Sequence, residues 1–111
     1  MSFQHQELKK GRWFQFLLIS QLSYIGSEAE RPLNWRKKAD LKCSELAFFR
    51  PLELLSLTLA DPKNKTSLKE LTRLYELLGD YFAGDNFYQA DEGFWKRYFY
   101  PFYYASRIKG F

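Results

Sequence analysis

Apolar side chains in this chain recur at intervals of three and four. Phe14, Leu18, Leu22, Ile25, Ala29 and Leu33 follow one another at spacings of four, four, three, four and four. Residues so placed line one face of an α-helix, whereas a half-buried strand alternates every second residue. Counted from Glu7 to Lys38, the first helix is about 48 Å long at 1.5 Å per residue. Arg36, Lys37 and Lys38 fall in its last turn, where the helix dipole favours cations.

Asp40 is the expected N-cap of a second helix that ends at Ala60, before Asp61-Pro62. Its apolar residues fall on two faces. Cys43, Leu46, Ala47, Leu54 and Leu57 form one, and Phe48, Leu52, Leu55 and Leu59 the other. That places this helix at the centre of the fold. A polar turn over 63–66 leads to Ser67-Leu68-Lys69-Glu70, which has the form of a capping box. Leu68, Leu71, Leu74, Tyr75, Leu78 and Phe82 then give the third helix its buried stripe, with Gly84 at its C′ position. A loop over 85–90 precedes Asp91, the cap of a fourth helix that runs to about Lys109. Pro32, Pro51 and Pro101 sit inside these segments and none follows a capping residue, so kinks are expected, with Arg31 as the point where helix one would break. Short connections favour antiparallel neighbours. The expectation is therefore all-α: one domain over 1–111, an up-down antiparallel four-helix bundle with a long first helix and proline kinks.

Composition narrows the function. No apolar run reaches the roughly 18–20 residues that span a bilayer, and residues 1–7 lack the pattern of a secretory signal. The lone Cys43 reads as a small buried apolar side chain in a reducing, cytoplasmic compartment. With His5 the only histidine, neither a di-metal bundle site nor Cys/His zinc or triad chemistry has its ligands, and no glycine-rich phosphate loop is present. The expectation is a chain that is not an enzyme and has no cofactor or resident metal. If an enzyme after all, it would use buried carboxylates such as Glu28, Glu53 and Glu76.

Seventeen basic and thirteen acidic residues give a net charge of +4. Residues 1–44 hold eight Lys/Arg against four Asp/Glu, and residues 80–92 hold four acids and no base, so a polarised surface is expected. Lys69, Arg73, Glu76 and Asp80 share a helix face as a solvated string of ion pairs, while Arg50 and Glu53 interrupt an apolar surface as a buried pair between helices. Lys9, Lys10 and Arg12 crowd the start of helix one, where cations oppose the dipole; that placement suits a binding patch. In the fourth helix Lys96, Tyr100, Tyr103 and Arg107 alternate cation and ring along one face, a pattern able to stack unpaired bases while holding phosphate. Aromatic residues are 20% of the chain, and residues 94–104 carry eight rings in eleven positions. That is more than one strand needs, so Phe94, Trp95, Tyr98, Phe99 and Phe102 are assigned to an oligomer interface.

The segments Gly11-Arg12-Trp13-Phe14-Gln15-Phe16 and Ile25-Gly26-Ser27-Glu28-Ala29-Glu30-Arg31, with Leu52-Glu53-Leu54-Leu55, Ala60-Asp61-Pro62-Lys63 and Asp80-Tyr81-Phe82, resemble a group of small uncharacterised bacterial helical proteins. In architecture the chain is more distantly similar to two four-helix families. These are the intervening-sequence proteins of bacterial large-subunit rRNA genes and the accessory variability determinant of diversity-generating retroelements. The latter resemblance implies a ring-shaped homo-oligomer whose basic surface binds nucleic acid and a reverse transcriptase. The sequence reading is thus a non-enzymatic basic bundle that self-associates and binds nucleic acid, RNA rather than DNA, as an accessory or assembly factor. Phosphate contacts fall to Lys9, Lys10, Arg12, Arg36, Lys37 and Lys38, with Lys96 and Arg107 assisting. The alternative is a protein-interaction scaffold with no nucleic-acid role.

Overall fold

The computed structural model describes residues 11–108, and every regular element among them is helical. After helical residues 11–13 come α1 (Leu18–Lys37), α2 (Leu41–Ala60), a 3-10 helix (Pro62–Ser67), α3 (Leu68–Phe82) and α4 (Glu92–Ile108). The long first helix is therefore divided, and not where a proline would divide it. Residues 14–17 form a turn, closed by bonds from Gln15 N to Arg12 O and from Phe16 N to Trp13 O. Leu17 is extended, at φ −68° and ψ 157°. Beyond it α1 runs unbroken through Arg31 and Pro32.

A buried polar cluster holds this turn open. Gln21 Nε2 donates to Trp13 O at 3.1 Å and to Asp61 Oδ2 at 2.9 Å. Lys63 Nζ donates to Phe14 O at 2.9 Å and also to Asp61. Asn64 Nδ2 bridges Gln21 Oε1 and Thr58 O, and Trp13 Nε1 donates to Thr58 Oγ1 at 2.9 Å. The carbonyls of Trp13 and Phe14, which a continuous helix would satisfy internally, are thus satisfied by side chains from α1 and from the α2–α3 junction. Burial alone would raise the pKa of Asp61, but bonds from the Lys63 ammonium, the Gln21 amide and the Lys63 N–H hold its carboxyl below the usual value.

The α1–α2 connection is compact. Ala39 N donates to Arg36 O and Asp40 N to Trp35 O, both at 3.0 Å, the pairing of a Schellman closure. Ala39 sits at its left-handed position, with φ 62°. Asp40 then caps α2 as expected, Oδ1 accepting from Cys43 N at 3.0 Å. Asp91 does the same for α4, accepting from Phe94 N at 2.7 Å. Ser67 occupies the N-cap position of α3, but its hydroxyl makes no capping bond. The preceding 3-10 helix leaves it at φ −109° and ψ 9°, outside the extended region a capping side chain uses. Gly84 follows the C-cap Ala83 without a left-handed φ; the positive φ falls later, at Asn86 (54°). Gly84 passes close to the preceding turn, where a Cβ would lie 3.1 Å from Asp80 O.

In the core, α1 packs on both α2 and α4, and α2 packs on α3. Leu22, Ile25, Ala29 and Leu33 supply the buried face of α1, continued by half-buried Leu18 and Phe14. Opposite them lie Phe48, Leu54 and Leu55 of α2, with Leu71, Leu74, Leu78 and Phe82 of α3. Each fully buried Leu, Ile or Phe among them contributes about 1.5–3 kcal/mol relative to exposure. Pro32 and Pro51 are fully buried within continuous helices, so packing offsets part of the roughly 3 kcal/mol an interior proline costs. Pro32 O also accepts from Ser44 Oγ at 2.8 Å, fastening α2 to α1. Against expectation α2 is not buried all round. Leu41, Leu46 and Phe49 are exposed, and Cys43 is half-buried beside Asp40, whose bond pushes its thiol pKa up. Between α3 and α4, Tyr81 and Trp95 meet edge to face. Beyond them a groove of about 520 Å³ separates the two helices, with Leu74, Leu77, Phe94 and Tyr98 among its walls.

Candidate nucleic-acid interface

The C-terminal turn of α1 and the first turns of α4 bring together cations that lie some sixty positions apart in the chain. Glu92 sits between them, 3.2 Å from Lys37 Nζ and 3.4 Å from Lys96 Nζ. The hydrogen bond from Lys37 leads in holding its carboxyl below the usual range, with Lys96 adding to the pull. One carboxylate shared between two ammonium groups leaves an excess of positive charge, and the lysine side chains stay 62% and 59% exposed. Arg36 lies over the Tyr81 ring, 4.4 Å from its centroid, and Lys38 over Trp35 at 5.2 Å. Both are within the range of a cation–π contact. Burial pushes the Tyr81 phenol up, and Arg36 pulls it the other way.

A groove of about 230 Å³ adjoins this corner where α1 meets α4. Lys96, Tyr100 and Tyr103 line one side, Glu30 and Leu33 the other. Tyr100 is 65% exposed and offers a free ring face. Tyr103 does not. It is half-buried against Gly26, where a Cβ would also come within 2.7 Å of Phe99 Cγ. Burial first, then nearby Glu30, push its phenol up to about 12, with a polar contact to Ser27 opposing them. Tyr103 thus packs part of its ring against Gly26 while still lining the groove. Arg107 is exposed in the last turn of α4, outside the lining of this groove.

The remaining sequence-derived sites fare differently. Lys9, Lys10 and His5 lie outside the described residues. Arg12 is exposed at the edge of a separate groove between α1 and α2. Of the rings assigned to an oligomer interface, Trp95 and Phe99 are 1% and 2% exposed in this chain's own core, which corrects that assignment. Phe94, Tyr98 and Phe102 are half-buried against that core. Arg50 and Glu53 form an i,i+3 pair at 3.1 Å on α2 and not a buried bridge between helices. Glu28 and Glu53 are half-buried and Glu76 is exposed, so none is the buried carboxylate that a catalytic reading required. Asp61 is buried instead, and the polar cluster engages it.

Three of the four acids over 80–92 are engaged locally. Asp80 accepts from Phe87 N and Tyr88 N at 2.7 and 3.0 Å, Asp91 caps α4, and Glu92 meets the lysines. The sequence reading missed Trp35, Tyr81 and Glu92 as members of the corner. The one signal for them was the acid-rich stretch itself, since charge of opposite sign in a small fold tends to close upon itself.

Among the described residues no three His, Cys, Asp or Glu side chains gather into a metal-binding group, and no helix is long and apolar enough to cross a membrane. Compared with known proteins, no family model, no curated protein and no solved structure matches this chain.

Proposed function

We propose that the chain is a non-enzymatic helical bundle that self-associates and binds nucleic acid, RNA rather than DNA, as an accessory or assembly factor in the cytoplasm. The observation that carries this reading is the corner at which Lys37 and Lys96 share the carboxylate of Glu92, with Arg36 over Tyr81 and Lys38 over Trp35 beside them. Exposed lysines beside the open ring of Tyr100 match the demands of a single strand, phosphate on charge and base on ring. We read the helices as an up-down antiparallel bundle. Lys37 meeting Glu92 while Gly26 lies by Phe99 and Tyr103 favours opposite directions for α1 and α4. Self-association is assigned to the face carrying Phe94, Tyr98 and Phe102. A reverse transcriptase is the candidate partner that the architectural resemblance supplies.

The test is fluorescence anisotropy with a structured RNA at about 50 and 200 mM salt, the range over which phosphate contacts weaken steeply. Wild-type binding should collapse with salt. Replacing Lys37, Lys38 and Lys96 together with Ala should weaken binding and flatten its salt slope by roughly one unit for each phosphate-neutralising lysine removed. Absence of binding at the lower salt, to this RNA and to a single strand alike, would remove the nucleic-acid role. The protein-interaction scaffold would then be the better reading, because Phe87 is 81% exposed and Leu46 and Phe49 stand out from α2. Sedimentation equilibrium over a concentration series checks self-association, and a monomer throughout would refute it.

A further inference from the structure

The groove beside Arg12, about 410 Å³, lies where the turn over 14–17, α1 and α2 meet. Three rings wall it. Trp13 stands 5.9 Å from both Phe16 and Tyr24, and Phe16 stands 5.2 Å from Tyr24, centroid to centroid. Their planes cross at 51–78°, so the three meet edge-on or tilted and not stacked, and Tyr24 is 44% exposed. Trp13 is pinned by its bond to Thr58, which makes this wall part of the buried cluster.

Two guanidinium groups flank the rings, Arg12 before the turn and Arg50 on α2. Arg12 forms no ion pair among the described residues, and Arg50 uses one nitrogen on Glu53 while its side chain stays 42% exposed. Half-buried Glu28 is on the same lining. An apolar occupant would strip water from both cations and from Glu28 without replacing their hydrogen bonds, a costly exchange. An occupant that suits all the groups is planar, bears an N–H edge for Glu28, and carries an anion for the arginines. The volume lies within the roughly 300–1,000 Å³ of sites that hold small molecules.

We propose that this groove seats an unpaired base of a single-stranded RNA, its ring against Tyr24 and Phe16 and its neighbouring phosphate at Arg12 and Arg50. The inference rests on the nucleic-acid reading above and gives it a base-holding site distinct from the lysine corner. From Tyr24 to Lys37 is thirteen residues of α1, or about 20 Å at 1.5 Å per residue. A strand joining them must also pass around α1, since thirteen residues turn the helix by about 220° beyond three full turns.

The experiment compares a labelled ten-nucleotide single-stranded RNA with an abasic strand of equal length, bound to the full chain at about 50 mM salt. Tyr24→Ala should weaken binding of the RNA roughly ten-fold, and Tyr24→Phe should leave it unchanged. The abasic strand, which has charge but no base to stack, should bind wild type and Tyr24→Ala alike. Should Tyr24→Ala hold the RNA as tightly as wild type while the Lys37, Lys38 and Lys96 variant loses it, the groove assignment falls and the nucleic-acid reading stands. If wild type binds neither the ten-nucleotide strand nor the structured RNA, both fall. Should Tyr24→Ala fail to fold, the doubly substituted Arg12→Gln, Arg50→Gln chain decides. A salt slope lower by about two supports the site, and an unchanged slope overturns it.

Discussion

At the scale of single residues, the close approach of α1 to α4 depends on what is missing at Gly26. Any side chain there meets Phe99 and the Tyr103 hydroxyl, so the glycine admits one aromatic residue fully and a second halfway. The cost falls on Tyr103, whose phenol is pushed from 10 up to about 12. An acid whose folded pKa lies above its unfolded value adds stability that is complete below the unfolded pKa and is lost as pH rises through the folded one. The melting temperature of the wild type should therefore fall between about pH 10 and 12, and Tyr103→Phe should show a shallower decline over that window. Equal declines would place the alkaline sensitivity elsewhere. Spacing along the sequence found Tyr103 but could not tell a ring turned toward its neighbour helix from one turned toward solvent, because the deciding atom is the absent Cβ of Gly26.

Individual elements follow local chemistry where that chemistry is complete. Asp40 and Asp91 were legible as caps because their bonds run to backbone N–H groups three residues on. The bounds of α2, from Leu41 to Ala60, follow from that cap and from Asp61-Pro62. The end of α1 was less legible, since its closure uses Ala39 where glycine is usual. An alanine in the left-handed region is strained by about 1 kcal/mol. Ala39→Gly should relieve that strain and raise the stability measured by urea unfolding by up to about 1 kcal/mol, less the entropy glycine returns to the unfolded chain. A lower stability would mean that the entropy glycine returns to the unfolded chain exceeds the strain relieved. The break over 14–17 had no local signal at all. Phe14-Gln15-Phe16-Leu17 contains no glycine, proline or capping residue, and the turn exists because Gln21 and Lys63 take the carbonyls of Trp13 and Phe14. A pattern of apolar spacing reads straight through such a break, because Phe14 and Leu18 still pack against the same core.

Across the whole molecule, the extents of 36 × 34 × 25 Å describe a slab, thinnest in one direction and open along the α3–α4 seam. The helical class followed from periodicity; the open seam did not, since it depends on how two amphipathic faces meet. The lysine corner was visible only as two separate runs, and the groove beside Tyr24 was hidden by the assumption of a continuous first helix. Acid should reveal how much of the fold hangs on Asp61. Its folded pKa lies below the unfolded value of 3.8, so its contribution is complete above about pH 4 and is lost as pH falls through the lower folded value. Asp61→Asn should lower stability at neutral pH by about 1.5–3 kcal/mol, as for hydrogen bonds to a buried charge. It should also flatten the acid limb of the stability curve. An acid limb unchanged by the substitution would show that other carboxylates govern it.

The turn over 14–17 also divides the molecule in time. Apart from the Gln21 bond to Trp13 O, its fastenings reach partners forty or more positions away, at Thr58, Asp61 and Lys63, so these close only after α2 and the 3-10 helix are in place. Their release would free Trp13 from the core it shares with Leu54 and Leu55, a local opening that hydrogen exchange would detect. Trp13 and Phe16 leave their places whenever that happens, and the wall beside Tyr24 exists only in the closed form. A molecule lodged there and the latch around Asp61 are consequently coupled: whatever fills the groove slows the opening, and whatever loosens the latch empties the groove.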